Sequence, residues 1–108
     1  ILSWNPATNR TDVFRHPSGR ANGLLFDHLG RLLACEGNEF SPDSDGQRRV
    51  TRTDLATGVV EILCDRWEGR RLNSPNDIAC MTDGHLFFTD PCYHERERMQ
   101  LDHESVYH

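Results

Sequence analysis

The pattern of a fifteen-residue stretch recurs 54 positions later without a gap, first in Asn22–Glu36 and then in Asn76–Asp90. Each copy begins with a short apolar run and continues into a tight turn that ends in glycine, Gly30 or Gly84. A second apolar run and an acid complete it. Apolar runs on either side of a glycine turn are typical of β-hairpins. A fixed internal period predicts a repeat architecture in which each unit packs against its neighbours.

The residues after the first hairpin complete a four-stranded unit. Arg48–Leu55 alternates in polarity, Ala56–Gly58 predicts a turn, and Val59–Cys64 supplies a fourth strand. Alternation and β-branched residues favour strands over helices. Four short antiparallel strands are the content of one blade of a β-propeller, so the predicted fold class is all-β.

The two ends of the chain fit the same template. Ile1–Asn5 and Thr11–Phe14 match the last two strands of a preceding blade, and Ser105–Tyr107 matches the start of a third strand. The sequence therefore predicts a propeller fragment of about two four-stranded antiparallel blades. The predicted boundaries are 1–17 for the end of one blade, 18–66 for a full blade and 67–108 for most of the next. Because 4–8 blades close a propeller, a ring with this period needs roughly 220–430 residues. We therefore expect a partial domain.

Composition excludes some partners. The formal net charge is -5, and acids and bases are interspersed without a basic stripe. Phosphate binding needs clustered Lys and Arg, so we predict no nucleic-acid partner. The longest apolar runs, Gly23–Phe26 and Leu32–Cys35, are too short to span a bilayer. We therefore predict no membrane partner, and the sequence does not decide the compartment.

The four cysteines do not indicate a metal or redox motif. None of them forms a C-x-x-C pair, so a zinc ribbon or a dithiol centre is not expected. Cys35, Cys64 and Cys80 lie in apolar strand-like runs, where cysteine behaves as a small buried hydrophobe.

Several segments resemble the gluconolactonase/SMP-30 family of lactone hydrolases. Those similar to its second blade are Asn22–Leu24, Gly30–Gly37 and Arg48–Asp54; those similar to its third are Glu68–Asp77 and Phe88–Pro91. The run Asn73–Asp77 is the most distinctive. The resemblance implies a six-bladed propeller that hydrolyses a small-molecule lactone. It also implies a divalent cation in the central channel, calcium first, with zinc or another ion as alternatives.

The resemblance also carries over site residues. Asn76 matches the asparagine in the loop that opens the third blade, which contacts the metal or its substrate. We therefore predict Asn76 as a metal ligand and a substrate contact, and Asp77 as a substrate-binding acid. Hard cations select oxygen ligands, including the amide oxygen of Asn. The alternatives are that Asn76 caps a turn and that Asp77 bonds nearby backbone N–H groups.

Three further polar residues lie near this position in the repeat. In an antiparallel hairpin the end of the second strand returns to the start of the first. Glu36 is therefore expected near Asn22, which at most lines the channel, and Asp90 near Asn76. Both acids are expected either at the channel mouth or in solvent. The family's catalytic acid/base is an aspartate late in its sequence, so no catalytic residue is predicted here.

Other motifs favour no site. Asp43–Gly46 lacks the first and last ligands of an EF-hand loop, and 38–47 is predicted as an inserted polar loop. His94, His103 and His108 lack the spacing of a zinc site. Animal-type SMP-30 proteins carry an arginine where this chain has Ser74, so their sugar-lactone specificity is not predicted. The alternative functions are a non-catalytic propeller that binds a ligand, or a related esterase or phosphotriesterase.

Overall fold

The computed structural model describes residues 1–37, 47–93 and 96–108, and within these ranges it contains strands, turns and no α-helix. A single turn of 3₁₀ helix spans Arg96–Arg98. The strands are β1 (Leu2–Asn5), β2 (Arg10–Val13), β3 (Ala21–Phe26), β4 (Leu32–Glu36), β5 (Arg49–Thr53), β6 (Val60–Cys64), β7 (Arg66–Trp67), β8 (Arg70–Arg71), β9 (Ile78–Cys80), β10 (Leu86–Asp90) and β11 (Ser105–Tyr107).

All strand pairs are antiparallel. One sheet has the order β3-β4-β5-β6, a second has the order β11-β10-β9, and β1 pairs with β2. The prediction of an all-β chain with a complete four-stranded unit is confirmed, and so is the third strand predicted at Ser105–Tyr107. Two features were not predicted: the short hairpin of β7 and β8, and the 3₁₀ turn at Arg96–Arg98.

The two repeated hairpins turn with the same backbone bonds. In the first, the N–H of Asp27 donates to the carbonyl of Arg31 at 3.0 Å, and the N–H of Gly30 donates to the carbonyl of Asp27 at 2.9 Å. The second turn repeats both bonds 54 positions later, at 2.8 and 3.0 Å. Gly30 and Gly84 have φ of 74° and 93°, a region that glycine adopts without steric cost. The sequence repeat is therefore a structural repeat.

The two sheets share one apolar core. It is formed by buried side chains from both sheets and from the loops of the second: Leu33, Cys35, Val50, Leu72, Ile78, Phe88, Leu101 and Tyr107. The first strands of the sheets are joined where they begin, because the N–H of Gly23 donates to the carbonyl of Asn76 at 2.6 Å. Burial raises the pKa of the Cys35 thiol to about 12, which makes it an inert core residue. Cys92 is also buried, whereas Cys64 and Cys80 are half-buried, and none forms a disulfide.

The turn between β3 and β4 depends on a buried carboxylate. Asp27 Oδ1 accepts the N–H groups of Leu29 at 3.0 Å and Arg31 at 2.9 Å, and its Oδ2 lies 2.7 Å from Arg31 Nε. Burial alone would raise the pKa of Asp27, but the hydrogen bonds from Arg31 and Leu29 outweigh it. The pKa of Asp27 therefore lies below its ordinary value of 3.8.

We expect Asp27→Ala to lower the free energy of unfolding by about 1–3 kcal/mol at neutral pH, because three hydrogen bonds to a charged group are lost. A lowered folded-state pKa means that this stabilisation is complete above about pH 4 and is lost as pH falls through the folded value. Urea unfolding at pH 7 and pH 3 measures it. Asp83→Ala is the matched control, since the exposed Asp83 accepts one backbone bond in the equivalent turn. A difference from wild type that persists undiminished at pH 3 would contradict the assignment.

Candidate functional site

The predicted site residues lie on a β-bulge where the second sheet begins. The N–H of Asn76 donates to the carbonyl of Thr89 at 2.9 Å, and the N–H of Thr89 donates to the carbonyl of Asp77 at 3.0 Å. Two residues therefore oppose one, directly before the regular pairing of Ile78 with Phe88. The N–H of Asp77 also donates to Thr89 Oγ1 at 3.1 Å. A bulge of this kind redirects side chains at the end of a strand.

The first sheet has a bulge at the equivalent position. Its register shifts between Ala21 and Leu24, so that Asn22 and Gly23 together oppose the single residue Cys35. The two bulges are 54 residues apart and lie side by side, joined by the bond from Gly23 to Asn76. A β-carbon on Gly23 would lie 2.7 Å from the Asn76 carbonyl oxygen, so only glycine fits there. The structure thus places Asn22 and Asn76 at matching points of the two sheets.

The side chains of the two predicted site residues differ in their surroundings. Asn76 is half-buried, and its side-chain amide has no hydrogen-bond partner within the three described ranges. Asp77 is exposed, and its Oδ1 accepts the N–H of Ile78 at 2.9 Å. Asp77 therefore bonds a neighbouring backbone N–H, as the alternative interpretation expected. Its carboxylate is still exposed to solvent. The alternative for Asn76, a side-chain cap, finds no support in the described part of the chain.

Asp90 lies beside the turn that leads to Asn76. Its carboxylate is completely buried and accepts the backbone N–H groups of Asn73 at 2.8 Å and Ser74 at 2.7 Å. The Asn73 side-chain amide donates to the carbonyls of Asp90 at 3.3 Å and His103 at 3.0 Å. Of the two expected locations for Asp90, solvent is therefore wrong: its carboxylate is used inside the protein.

Glu36, the equivalent acid of the first sheet, is buried in a different manner. Its Oε1 lies 2.5 Å from Arg15 Nη2 and accepts the Thr51 hydroxyl at 2.8 Å, and its Oε2 lies 2.8 Å from Arg49 Nε. Solvent is again the wrong location, because side chains distant in sequence close over the carboxylate. The hairpin pattern predicted that Glu36 lies near Asn22, but it could not predict which side chains bond the carboxylate.

The remaining sequence motifs form no metal site among the residues that the structure describes. Asp43–Gly46 and His94 lie outside the described residues. His103 bonds Asp102 and Tyr107, and His108 faces His85 with ring nitrogens 2.5 Å apart. Within 1–37, 47–93 and 96–108, no three His, Cys, Asp or Glu side chains gather closely enough for a metal ion. No helix in the same residues is long and apolar enough to cross a membrane.

The oxygen atoms of the Asn73–Asp77 segment fit part of a hard-cation site. The Asn76 amide lacks a partner in the described structure, and the Asp77 carboxylate is exposed. The Oδ1 of Asn73 is buried and accepts no hydrogen bond from any residue described. Amide and carboxylate oxygens are ligands that calcium and magnesium prefer. Because calcium takes 6–8 oxygens, this segment could supply only a minority of the ligands of such a site.

The sequence and the fold match known proteins. The family model described as the SMP-30/gluconolactonase/LRE-like region matches residues 1–108. The chain belongs to this family. A gluconolactonase from Zymomonas mobilis is 30% identical over 99 residues, which cover 86% of this chain and 27% of that protein.

Two solved structures have a fold similar to that of this chain. A gluconolactonase from Xanthomonas campestris superposes with a TM-score of 0.78 at 34% identity, over 98% of this chain and 35% of its own. A protein named as a candidate gluconolactonase superposes with a TM-score of 0.76 at 32% identity, over 97% of this chain and 36% of its own. The chain thus spans about a quarter to a third of the length of these relatives.

Proposed function

We propose that this chain is part of a six-bladed β-propeller that hydrolyses lactones with the help of a divalent cation. The observation that carries the proposal is the half-buried Asn76 amide, which lacks a partner in the described structure and lies on a bulge where two neighbouring sheets meet. Membership in the SMP-30/gluconolactonase/LRE-like family supports the activity. The two relatives that are called gluconolactonases align with 86% and 98% of the chain.

Exposed apolar side chains support a larger ring. Leu24 and Phe26 on β3 are 44% and 58% exposed, and Trp4 on β1 is 62% exposed. These residues line one open groove between the β1–β2 hairpin and the four-stranded sheet. In a propeller, the inner strands of the preceding blade cover this surface, as each blade buries its faces against its neighbours. We propose that 1–17, 18–66 and 67–108 are the end of one blade, a complete blade and most of the next.

The two predicted site residues have different roles in the proposed reaction. Asn76 holds the cation or orients the lactone through its amide oxygen. Asp77, whose carboxylate is exposed, contacts the substrate. A bound divalent cation supplies Lewis-acid polarisation of the lactone carbonyl, with calcium the first candidate ion and zinc or another divalent ion the alternatives. The rigid turn and the bulge keep both side chains in place, so little ordering is left for the binding step. The acid/base group and the remaining ligands lie in other blades.

A lactone panel tests the proposal on the full-length protein. After treatment with EDTA, hydrolysis is expected to fall to the uncatalysed rate and to return on addition of calcium, zinc or another divalent ion. A panel of simple esters and phosphotriesters run in parallel separates lactonase from the related hydrolase activities. Binding of a lactone without turnover, with or without metal, would favour the non-catalytic propeller and contradict the proposed enzyme.

A further inference from the structure

Asp90 holds the turn before Asn76 through two short charge-assisted bonds. Its fully buried carboxylate uses Oδ2 for the N–H of Asn73 at 2.8 Å and Oδ1 for the N–H of Ser74 at 2.7 Å. A carboxylate that accepts two consecutive backbone N–H groups fixes both the position and the direction of that backbone. The charge lies inside the protein, yet the hydrogen bonds offset its desolvation.

The connection from this clamp to Asn76 is short and stiff. Pro75 follows Ser74, is fully buried, and has its φ fixed by its ring. The next residue, Asn76, is held by its own N–H, which donates to Thr89 one residue before Asp90. The turn is therefore attached to the end of β10 by three backbone N–H groups, those of Asn73, Ser74 and Asn76. The side chain of Asn76 projects from a backbone that has little freedom to move.

The first sheet shows that a buried acid at this position need not hold the turn. Glu36 directs its carboxylate to the side chains of Arg15, Arg49 and Thr51. Its loop residue Gly19, equivalent to Asn73, would place a β-carbon 2.6 Å from Glu36 Oε2. The shorter Asp90 instead reaches the backbone of its loop. The difference between the two repeats singles out the repeat that carries the candidate site.

We propose that Asp90 is a positioning residue for the site at Asn76, acting through the turn Asn73–Asn76 without contacting substrate. This inference rests on the proposed function. It predicts that Asp90→Asn, which replaces one accepting oxygen with an N–H donor, raises the cation concentration for half-maximal lactonase activity by about 10-fold or more. Outer partners of metal ligands typically have effects of about 10–100-fold on affinity. Saturating cation is expected to restore most of kcat, because the reacting groups remain present.

The test uses the full-length protein and two matched variants. Cation titrations of activity and of binding by calorimetry are made on wild type, Asp90→Asn and Glu36→Gln. Glu36→Gln also disrupts a buried carboxylate, so it is expected to lower the unfolding temperature but to leave the half-activating concentration within about threefold of wild type. If Asp90→Asn does not fold, Asp90→Glu takes its place, because it keeps the charge but moves the carboxylate relative to the N–H groups of Asn73 and Ser74.

The outcomes separate this inference from the proposed function. Wild type that neither binds a cation nor hydrolyses a lactone overturns the proposed function, and this inference with it. Wild type that does both, with an unchanged half-activating concentration in the folded turn variant, overturns the role of Asp90 alone. An equal rise in the half-activating cation concentration in the turn variant and in Glu36→Gln also overturns the role of Asp90, because it indicates a general loss of stability.

Discussion

Asn76→Ala in the full-length protein is expected to weaken cation binding by at least about 10-fold and to lower lactonase kcat/KM by at least as much. The reason is that alanine removes the amide oxygen and leaves the backbone unchanged. The bonds of Asn76 to Thr89 and Gly23 are made by its backbone, so the bulge survives the substitution. Circular dichroism and the unfolding temperature are therefore expected to stay close to those of wild type. Calorimetric titration with calcium and zinc, together with steady-state kinetics, measures the effect.

Asn22→Ala is the matched control for this variant. Asn22 is exposed and lies on the equivalent bulge of the first sheet, so its substitution removes the same chemical group from the same local backbone. At most it lines the channel, and an effect within about threefold is expected. Wild-type affinity and turnover in Asn76→Ala would remove Asn76 from the site. Equal losses in both variants would instead show that the two asparagines contribute alike.

Gly23→Ala is expected to lower the free energy of unfolding by about 2 kcal/mol or more, within the range of overpacked sites. The new methyl group would lie 2.7 Å from the Asn76 carbonyl oxygen and 2.8 Å from Asp77 Cα. Both atoms belong to backbone and cannot rotate away, so the first strands must separate. That movement breaks the 2.6 Å bond between the sheets and displaces the site at the same time. Stability and cation affinity are therefore expected to fall together.

Gly30→Ala separates the steric effect from the ordinary cost of replacing glycine. Gly30 has φ of 74° and lies at the far end of β3, where a β-carbon would meet no atom within 4 Å beyond its chain neighbours. Its substitution is expected to cost about 1 kcal/mol from backbone strain and to leave the site untouched. Thermal unfolding and cation titration of both variants provide the comparison. A Gly23→Ala protein that keeps wild-type stability and affinity would show that the two sheets do not meet as closely as described.

The hairpins could be predicted from the sequence because the pattern that indicates them is local. An alternating or apolar run, a glycine turn and a fixed period depend on neighbours in the chain, and the turns at Gly30 and Gly84 follow from them. The bulges could not be predicted in this way. They depend on which residue opposes Asn76 across the sheet, and only the register with Thr89 reveals that two residues face one.

The surroundings of the buried acids were also beyond local reasoning. The position of each acid at the end of a strand was predictable, but its partner was not. Asp90 bonds a turn that precedes it by sixteen residues, and Glu36 meets Arg15 from twenty-one residues away. Asp90 bonds backbone N–H groups whereas Glu36 bonds side chains, and this difference is visible only in the folded chain. The prediction of Asn76 as a site residue came from family resemblance, whereas the lack of side-chain hydrogen bonds at Asn76 in the described chain is a structural finding.

The bond between Gly23 and Asn76 links the proposed binding of a ligand at Asn76 to the cohesion of the two sheets. A ligand that binds Asn76 in its native position does not bind a chain whose two sheets have separated. Its presence therefore adds RT ln(1 + [L]/Kd) to the work of pulling them apart, about 2.7 kcal/mol at a hundredfold excess over Kd. Resistance to heat then rises with ligand concentration, and a melting curve reports occupancy without any turnover.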